Sequence, residues 1–199
     1  MNIKLAIEVL NKDSKMKKLI KDYGFAHFES KNDYFKSLMH SIVFQQLSGK
    51  VANVIYERLI DFLPDNKVIP TEVLLLSNQK MRQAGLSLQK IKYIKNLANY
   101  FDNNLFDCNK VKNMSNEEIS VDLTQIKGIG QWTVDMFLMF TLNRPDVMPY
   151  SDLGIRKGMK ILFNLSKLPT KSEMETLSKK WKPYRTVASW YLWKVADDS

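Results

Sequence analysis

The chain has 199 residues, enough for one ordinary domain or two small interleaved lobes, and 45% of them are hydrophobic, enough to build a core. Its 30 Lys and Arg against 21 Asp and Glu give a formal net charge of +9, which favours a polyanionic partner, although a lysine-rich composition alone yields the same figure. A single cysteine, Cys108, excludes an intramolecular disulfide framework and any cysteine-only cluster, and no apolar run approaches the ~20 residues of a bilayer span.

The periodicity is helical nearly throughout. Residues 3–10 and 14–22 read as two short amphipathic helices, the first on Ile3, Ile7 and Leu10, the second on Met16, Leu19 and Ile20 and ended by Gly24. Lys4 and Glu8 break Met1–Leu10, so that stretch is a poor signal peptide, and an intracellular setting is expected. Tyr34 to Gln46 forms a longer helix with Phe35, Leu38, Met39, Ile42 and Val43 on one face. Lys50 to Phe62 forms another, stopped by Pro64. Asp61 to Pro70 reads as a surface loop, and Pro70-Thr71-Glu72 opens a short helix. Gln89 to Phe101 carries Ile91, Ile94, Ala98 and Phe101 on its apolar stripe, with Lys90, Lys92 and Lys95 largely outside it. Ser115 followed three residues on by Glu118 is a capping box that starts the next helix. Trp132 to Leu142 is apolar nearly all round and reads as the buried axis of the fold. Asp152 stands where a helix through Ile155, Met159, Ile161 and Leu162 begins, Pro169-Thr170 precedes a further helix, and Tyr184 to Val195 forms the last. Many helices of 8–15 residues on short connectors, without a strand pair or repeat, predict an all-α fold.

Two segments carry chemistry. In Ile126-Lys127-Gly128-Ile129-Gly130-Gln131-Trp132-Thr133, two glycines flank one aliphatic residue between helical stretches. Such a hairpin leaves backbone N–H groups free at a helix start, where phosphate binds. The three residues alone are equally read as a helix C-cap and tight turn. Downstream, Pro149-Tyr150-Ser151-Asp152-Leu153-Gly154 offers a carboxylate, which on its own would be a helix N-cap. Together they suggest a protein that grips a nucleic-acid backbone and acts chemically beside it.

In this context the chain resembles the helix-hairpin-helix DNA glycosylases with a Gly/Pro-rich loop and an aspartate, most closely their alkylation-repair branch, the 3-methyladenine DNA glycosylase II type. Besides the hairpin, Phe44-Gln45-Gln46-Leu47-Ser48 with Ala52 resembles that branch's Gln-Gln-x-Ser segment. Ala84-Gly85-Leu86-Ser87, then Lys90-Ile91-Lys92-Tyr93-Ile94, matches its Gly-x-Ser…Lys-x-x-Tyr stretch. Trp181-Lys182-Pro183-Tyr184-Arg185 with Ala188 and Tyr191-Leu192-Trp193 matches its C-terminal signature. Lys127 stands where the hairpin often has Pro, and Ser151 where Gly or Asp often precedes the aspartate. The resemblance implies one domain over 1–199, without an N-terminal β-rich domain. It would comprise a lobe of middle helices (about 34–130), a lobe of terminal helices (about 1–30 and 131–199), and an active-site cleft between them.

The same resemblance implies the roles of residues. Asp152 would stabilise the oxocarbenium-like sugar as the C1′–N bond breaks and help place the attacking water. Lyase members carry a lysine two positions after the second hairpin glycine; here that position is Trp132, which implies a monofunctional enzyme using water. Trp132 and Trp193, with Met136 one turn further on, would hold the flipped base, aromatic faces suiting a cationic methylated purine. Trp190 reads as core. Gln46 would fill the gap left in the duplex and Ser48 would face the minor groove, although from the residues alone Gln45 and Gln46 simply end a helix. Phosphate would be bound by the N–H groups of Gly128, Gly130 and Trp132, and a monovalent cation (Na+ or K+) by the main-chain carbonyls of Thr124, Ile126 and Ile129. Neither His27 nor His40 has metal-ligand spacing, His40 reading as a hydrogen-bonded structural residue, and one cysteine cannot hold an iron–sulfur cluster. The expected partner is duplex DNA with damaged bases, met by a monomer away from any membrane, at a bacterial nucleoid or in a nucleus. The rivals are a non-catalytic helix-hairpin-helix DNA-binding protein and an oxidised-base glycosylase/lyase.

Overall fold

The computed structural model describes residues 1–29 and 32–198. In chain order the helices are α1 (Ile3–Leu10), α2 (Ser14–Tyr23), α3 (Tyr34–Phe44), α4 (Gly49–Asp61), α5 (Pro70–Leu75), α6 (Asn78–Gln83), α7 (Leu88–Asp102), α8 (Asn116–Thr124), α9 (Gln131–Phe140), α10 (Leu153–Leu162), α11 (Lys171–Ser178) and α12 (Arg185–Asp197). Single 3-10 turns cover Pro64–Asn66 and Lys179–Trp181. No strand occurs among the described residues, so the all-α expectation holds.

Local chemistry explains most of the boundaries. Asn2, Asp13, Asp33, Ser77, Ser87, Ser115, Asp152 and Thr170 each accept a hydrogen bond from a backbone N–H of the helix they open. The Ser115–Glu118 capping box forms in both directions, at 3.1 and 2.7 Å. A second one, Thr170–Glu173, was equally readable in the sequence. Gly24 ends α2 at φ +70°.

The structure differs from the sequence expectation in four places. The helix expected over Tyr34–Gln46 stops at Phe44, because Gln45 turns out of helical ψ and Gln46 adopts φ +57°. The helix expected over Trp132–Leu142 stops at Phe140. Asn143 takes φ +52° and the Arg144 amide closes back on the Leu138 carbonyl at 2.9 Å, which turns the chain away from the helix axis. That helix is not buried all round, since Trp132 and Met136 are half-buried and its buried side includes Asp135. Helix α6 buries only Met81 and so shows no apolar stripe to read.

The chain forms two compact units. The middle unit, Lys31–Phe137, is organised on α7, whose buried Ile91, Ile94, Leu97 and Ala98 lie in a helix packed against α3, α5 and α6. Tyr34, Phe101, Phe106 and Phe137 add edge-to-face and tilted ring contacts at 5.1–6.2 Å.

The other unit joins Met1–Ser30 to Leu138–Ser199. Its centre is the α10–α12 pair. Gly158 lets the backbones meet, since a Cβ there would fall 2.1 Å from the Leu192 carbonyl oxygen. Tyr191 extends from α12 to donate to the Gly24 carbonyl at 2.7 Å. Asp13 ties α2 to the Lys179–Trp181 turn, accepting from the Lys15 amide (3.0 Å), the buried Trp181 indole (2.8 Å) and Lys180 Nζ (2.8 Å). Burial alone would raise the Asp13 carboxyl, but the bonds from Lys180, Trp181 and the Lys15 amide outweigh it and hold the group below its ordinary 3.8.

Asp13→Ala is therefore expected to lower stability by about 2–4 kcal/mol, combining a lost N-cap with an indole N–H left unsatisfied in the core. A depressed folded value means that the carboxylate's contribution is full above pH 3.8 and disappears as pH falls through the lower folded value. Denaturant titrations of both proteins should diverge at neutral pH and converge in acid.

Candidate functional site

In the middle unit, the turn after α3 and the hairpin before α9 form one hydrogen-bonded assembly. Gly128 sits at φ +112°, a conformation that favours glycine. Its backbone passes over the Tyr93 ring so closely that a Cβ would lie 2.2 Å from Cγ. The Ile129 amide closes on the Ile126 carbonyl at 2.9 Å, and the Gly130 carbonyl accepts from the amides of Thr133 (2.9 Å) and Val134 (3.2 Å), which makes Gly130 the start of α9. The hairpin thus leads into the electropositive end of a helix, where backbone amides meet anions. Gln45 reaches across from the other turn, its Nε2 donating to the Gly128 carbonyl (3.0 Å) and to Thr133 Oγ1 (2.9 Å). Gln46, the next residue, is exposed. Ser48 precedes α4 but makes no capping bond, so its exposed hydroxyl is not committed to that helix.

In the other unit, the loop from Arg144 to Asp152 is held by the first turns of α12. Thr186 Oγ1 donates to the Arg144 carbonyl (2.6 Å) and accepts from the Val147 amide (3.0 Å), while the Thr186 amide donates to the Pro145 carbonyl (3.0 Å). Arg185 clamps Asp146 with two bonds, Nε to Oδ1 at 2.5 Å and a terminal nitrogen to Oδ2 at 3.0 Å, and also donates to the Tyr150 hydroxyl at 2.9 Å. Burial alone would lower Arg185, but the Asp146 carboxylate raises it above its ordinary value. The loop ends on Asp152, whose Oδ1 accepts from the Ile155 amide (2.8 Å) and the Trp193 indole N–H (2.9 Å). This fixes the carboxylate at the N-terminus of α10, where negative charge is favoured. Gly154 makes room for the arrangement: a Cβ there would lie 2.7 Å from Trp193 Cδ1 and 3.1 Å from Asp152 Oδ1. Trp193 also meets Phe140, ring centroids 5.7 Å apart.

Amides presented at a helix start suit a phosphate backbone, and a carboxylate held on a helix N-terminus is preorganised to meet developing positive charge. The model of the HhH-GPD superfamily of base excision DNA repair proteins matches residues 39–183. The chain belongs to this superfamily. It is 38% identical over 199 residues to DNA-3-methyladenine glycosylase 1 of Schizosaccharomyces pombe, covering 97% of this chain and 87% of that one. The alkylbase DNA glycosidase-like protein mag2 of the same organism is 31% identical over 188 residues, covering 92% and 88%. A solved structure of the S. pombe 3-methyladenine DNA glycosylase Mag1 in complex with abasic DNA matches at a TM-score of 0.89 and 37% identity, covering 95% of each chain.

Within this HhH-GPD chain the structure brings Asp152 and Trp193 into direct contact, and links the Gln46 turn to Gly128 through Gln45. Trp132 and Met136 lie one turn apart at the start of α9, both half-buried. The carbonyl of Thr124 belongs to the last residue of α8 and those of Ile126 and Ile129 to the connection into α9, and the Ile126 oxygen already accepts the Ile129 amide. His40 stacks on Phe44 at 4.0 Å, and Trp190 packs against the core beside Tyr191 at 5.1 Å. Sequence reasoning missed Gly154, Arg185 with Asp146, and the Trp193–Asp152 bond. The C-terminal signature contained Arg185 and Trp193, but partners 39 and 41 residues apart leave no periodic signal. It also missed Asp135, buried in α9 and accepting from Gln131 Nε2 at 2.9 Å.

Proposed function

We propose that this chain is a monofunctional DNA glycosylase that hydrolyses the N-glycosidic bond of alkylated purines, 3-methyladenine among them, in duplex DNA, the first step of base excision repair. The observation that carries the reading is the Asp152 carboxylate, locked by the Trp193 indole and the Ile155 amide on a helix N-terminus. The 3-methyladenine glycosylase names of full-length relatives support the substrate class.

The chemistry follows from the charge that develops. As the C1′–N bond lengthens, the sugar becomes cationic, and a preorganised carboxylate stabilises it without having to reorient. The leaving purine departs with the bonding electrons, and water attacks C1′, its proton moving toward the carboxylate. Trp132 and Trp193, with Met136, would hold the base, whose positive charge in an N3- or N7-methylated purine is attracted to aromatic faces by about 0.5–2 kcal/mol. Gln46 would fill the gap in the base stack and Ser48 would touch the minor groove. The amides of Gly128, Gly130 and Trp132 would bind backbone phosphate. The neutral carbonyls of Thr124, Ile126 and Ile129 suit a hard monovalent cation, which would bring positive charge to that phosphate; Ile126 keeps a second lone pair for it. No amine stands at position 132 to attack C1′, which favours base release alone over combined lyase action. A single copy of the chain, as one glycosylase domain, suffices for this reaction.

Incubation with methylated duplex DNA tests the proposal. Free methylated purines should appear by chromatography, strand breaks should follow only after alkali, and borohydride should trap no protein–DNA adduct. Breaks without alkali, or no released base, would refute it.

A further inference from the structure

The Lys90-x-x-Tyr93 stretch of α7 has no part in the proposed chemistry, yet the structure places it under both DNA-facing turns. Lys90 is half-buried, and its ammonium donates to the carbonyls of Val43 (2.6 Å) and Gln45 (2.8 Å). Both oxygens lie at the C-terminal end of α3, where carbonyls lack helical partners and a cation is favoured. The amide four residues after Val43, that of Leu47, turns instead to the Phe44 carbonyl at 3.3 Å, so Lys90 supplies what the helix does not. Carbonyls on both sides of Phe44 and Gln45 are thereby fixed, and with them the entry into Gln46 at φ +57°, a region that a side chain other than glycine rarely adopts.

The same helix face continues under the hairpin. Tyr93 lies beneath Gly128, and Asn96 Nδ2 donates to the Lys127 carbonyl at 3.1 Å. Residues 90, 93 and 96 follow one another at helical spacing. Between the Gln46 turn and the hairpin lies an open cleft of about 440 Å³, bordered by Gln46, Lys90, Tyr93, Gly128 and Gly130. Side-chain packing therefore does not set their separation. The Gln45 amide and the α7 face do.

We propose that Lys90 is a positioning residue that, with the Gln45 bridge, holds the Gln46 turn in register with the phosphate-binding hairpin, so that gripping the strand and extruding the nucleotide share one geometry. This rests on the glycosylase reading above. Two of the ammonium's three N–H groups are engaged by carbonyls of this chain, which sets Lys90 apart from a lysine that reads phosphate. Burial also lowers its affinity for a proton.

The test compares the intact protein with Lys90→Met, Lys90→Arg and Gln45→Leu. Extrusion is read from the fluorescence of 2-aminopurine placed beside a tetrahydrofuran abasic site in a duplex, which requires no catalysis. Base release is read on methylated duplex and on the same lesion in an unpaired bulge. Lys90→Met and Gln45→Leu should each reduce the fluorescence rise and the duplex rate at least tenfold, yet keep the bulge rate within threefold. Lys90→Arg, which retains the donors, should recover most of the loss. The salt dependence of DNA affinity should be unchanged. Equal losses on duplex and bulge, a salt slope shallower by about one (the mark of a lost phosphate contact), or variants indistinguishable from the parent would overturn the proposal. Parent protein that produces the fluorescence rise but releases no base would instead refute the glycosylase reading.

Discussion

Asp152→Asn should abolish most base release while leaving the fold intact. The amide keeps the Oδ1 acceptor that receives the Ile155 amide and the Trp193 indole, and Asn is as good an N-cap as Asp. Stability should therefore change by less than about 1 kcal/mol. What the substitution removes is the negative charge. At ~4 Å and an effective dielectric near 20, a carboxylate and a cationic sugar attract by roughly 4 kcal/mol. That corresponds to a rate loss on the order of a thousandfold. Asp152→Ala would confound the result, since it also deletes the cap of α10 and frees Trp193. Single-turnover release from methylated duplex, with a thermal midpoint for each protein, checks the expectation. A rate within tenfold of the parent would show that the carboxylate does not face the reacting sugar. A rate loss with preserved DNA affinity would exclude the rival of a non-catalytic binding protein.

The legible part of the sequence was the part governed by local rules. Caps at Ser115 and Asp152, the Gly24 stop and the α3 core face are written in neighbouring residues, and the structure shows each of them. What could not be read depended on partners distant in the chain. Lys90 and Lys95 fall largely outside the apolar stripe of α7, which says nothing of what their ammonium groups meet. In the structure Lys90 holds the end of α3, and Lys95 Nζ reaches the Leu74 carbonyl at 3.3 Å. The end of α3 was misplaced for the same reason. Gln45 and Gln46 are acceptable helix formers, and only tertiary hydrogen bonds from Lys90 and to Gly128 draw the chain out of the helix. Gly154 was visible as a letter but not as a requirement, because its neighbour in space, Trp193, arrives from α12. At the candidate site, motif resemblance singled out Asp152, Trp193 and Gln46, whereas the contacts that hold them, Gly154 under Trp193 and the Gln45 bridge to Gly128, emerged only from the fold.

Gly128→Ala should cripple the hairpin through two effects that can be separated. At φ +112° an alanine is strained whatever the space around it, a cost of about 1–3 kcal/mol. Its Cβ would also overlap the Tyr93 ring, 2.2 Å from Cγ, so either the ring or the hairpin must move. The overlapping atoms are the root of the side chain, Tyr93 Cγ at 2.2 Å and Cβ at 2.5 Å, which a rotamer change cannot carry away from α7, so the hairpin must shift against the Gln45 and Asn96 bonds that hold it. A displaced hairpin misdirects its amides and pulls on the Gln45 bridge to the Gly128 carbonyl. Losing one charge-assisted amide–phosphate bond costs about 1.5–3 kcal/mol, or roughly 10- to 150-fold in affinity. Gly130→Ala is the stability control: nothing lies within 4 Å of a Cβ there and its φ is not positive, so unfolding should shift only by the poorer N-cap that alanine makes, about 1 kcal/mol or less. Adding Tyr93→Ala to Gly128→Ala removes the overlap but not the backbone strain, so a double-mutant cycle should show a favourable coupling between the two substitutions. Denaturant unfolding and anisotropy with a duplex carrying a tetrahydrofuran site measure both quantities. Additive effects of the two substitutions would mean that the ring does not support the hairpin, and unchanged affinity in Gly128→Ala would remove the hairpin from the DNA-binding surface.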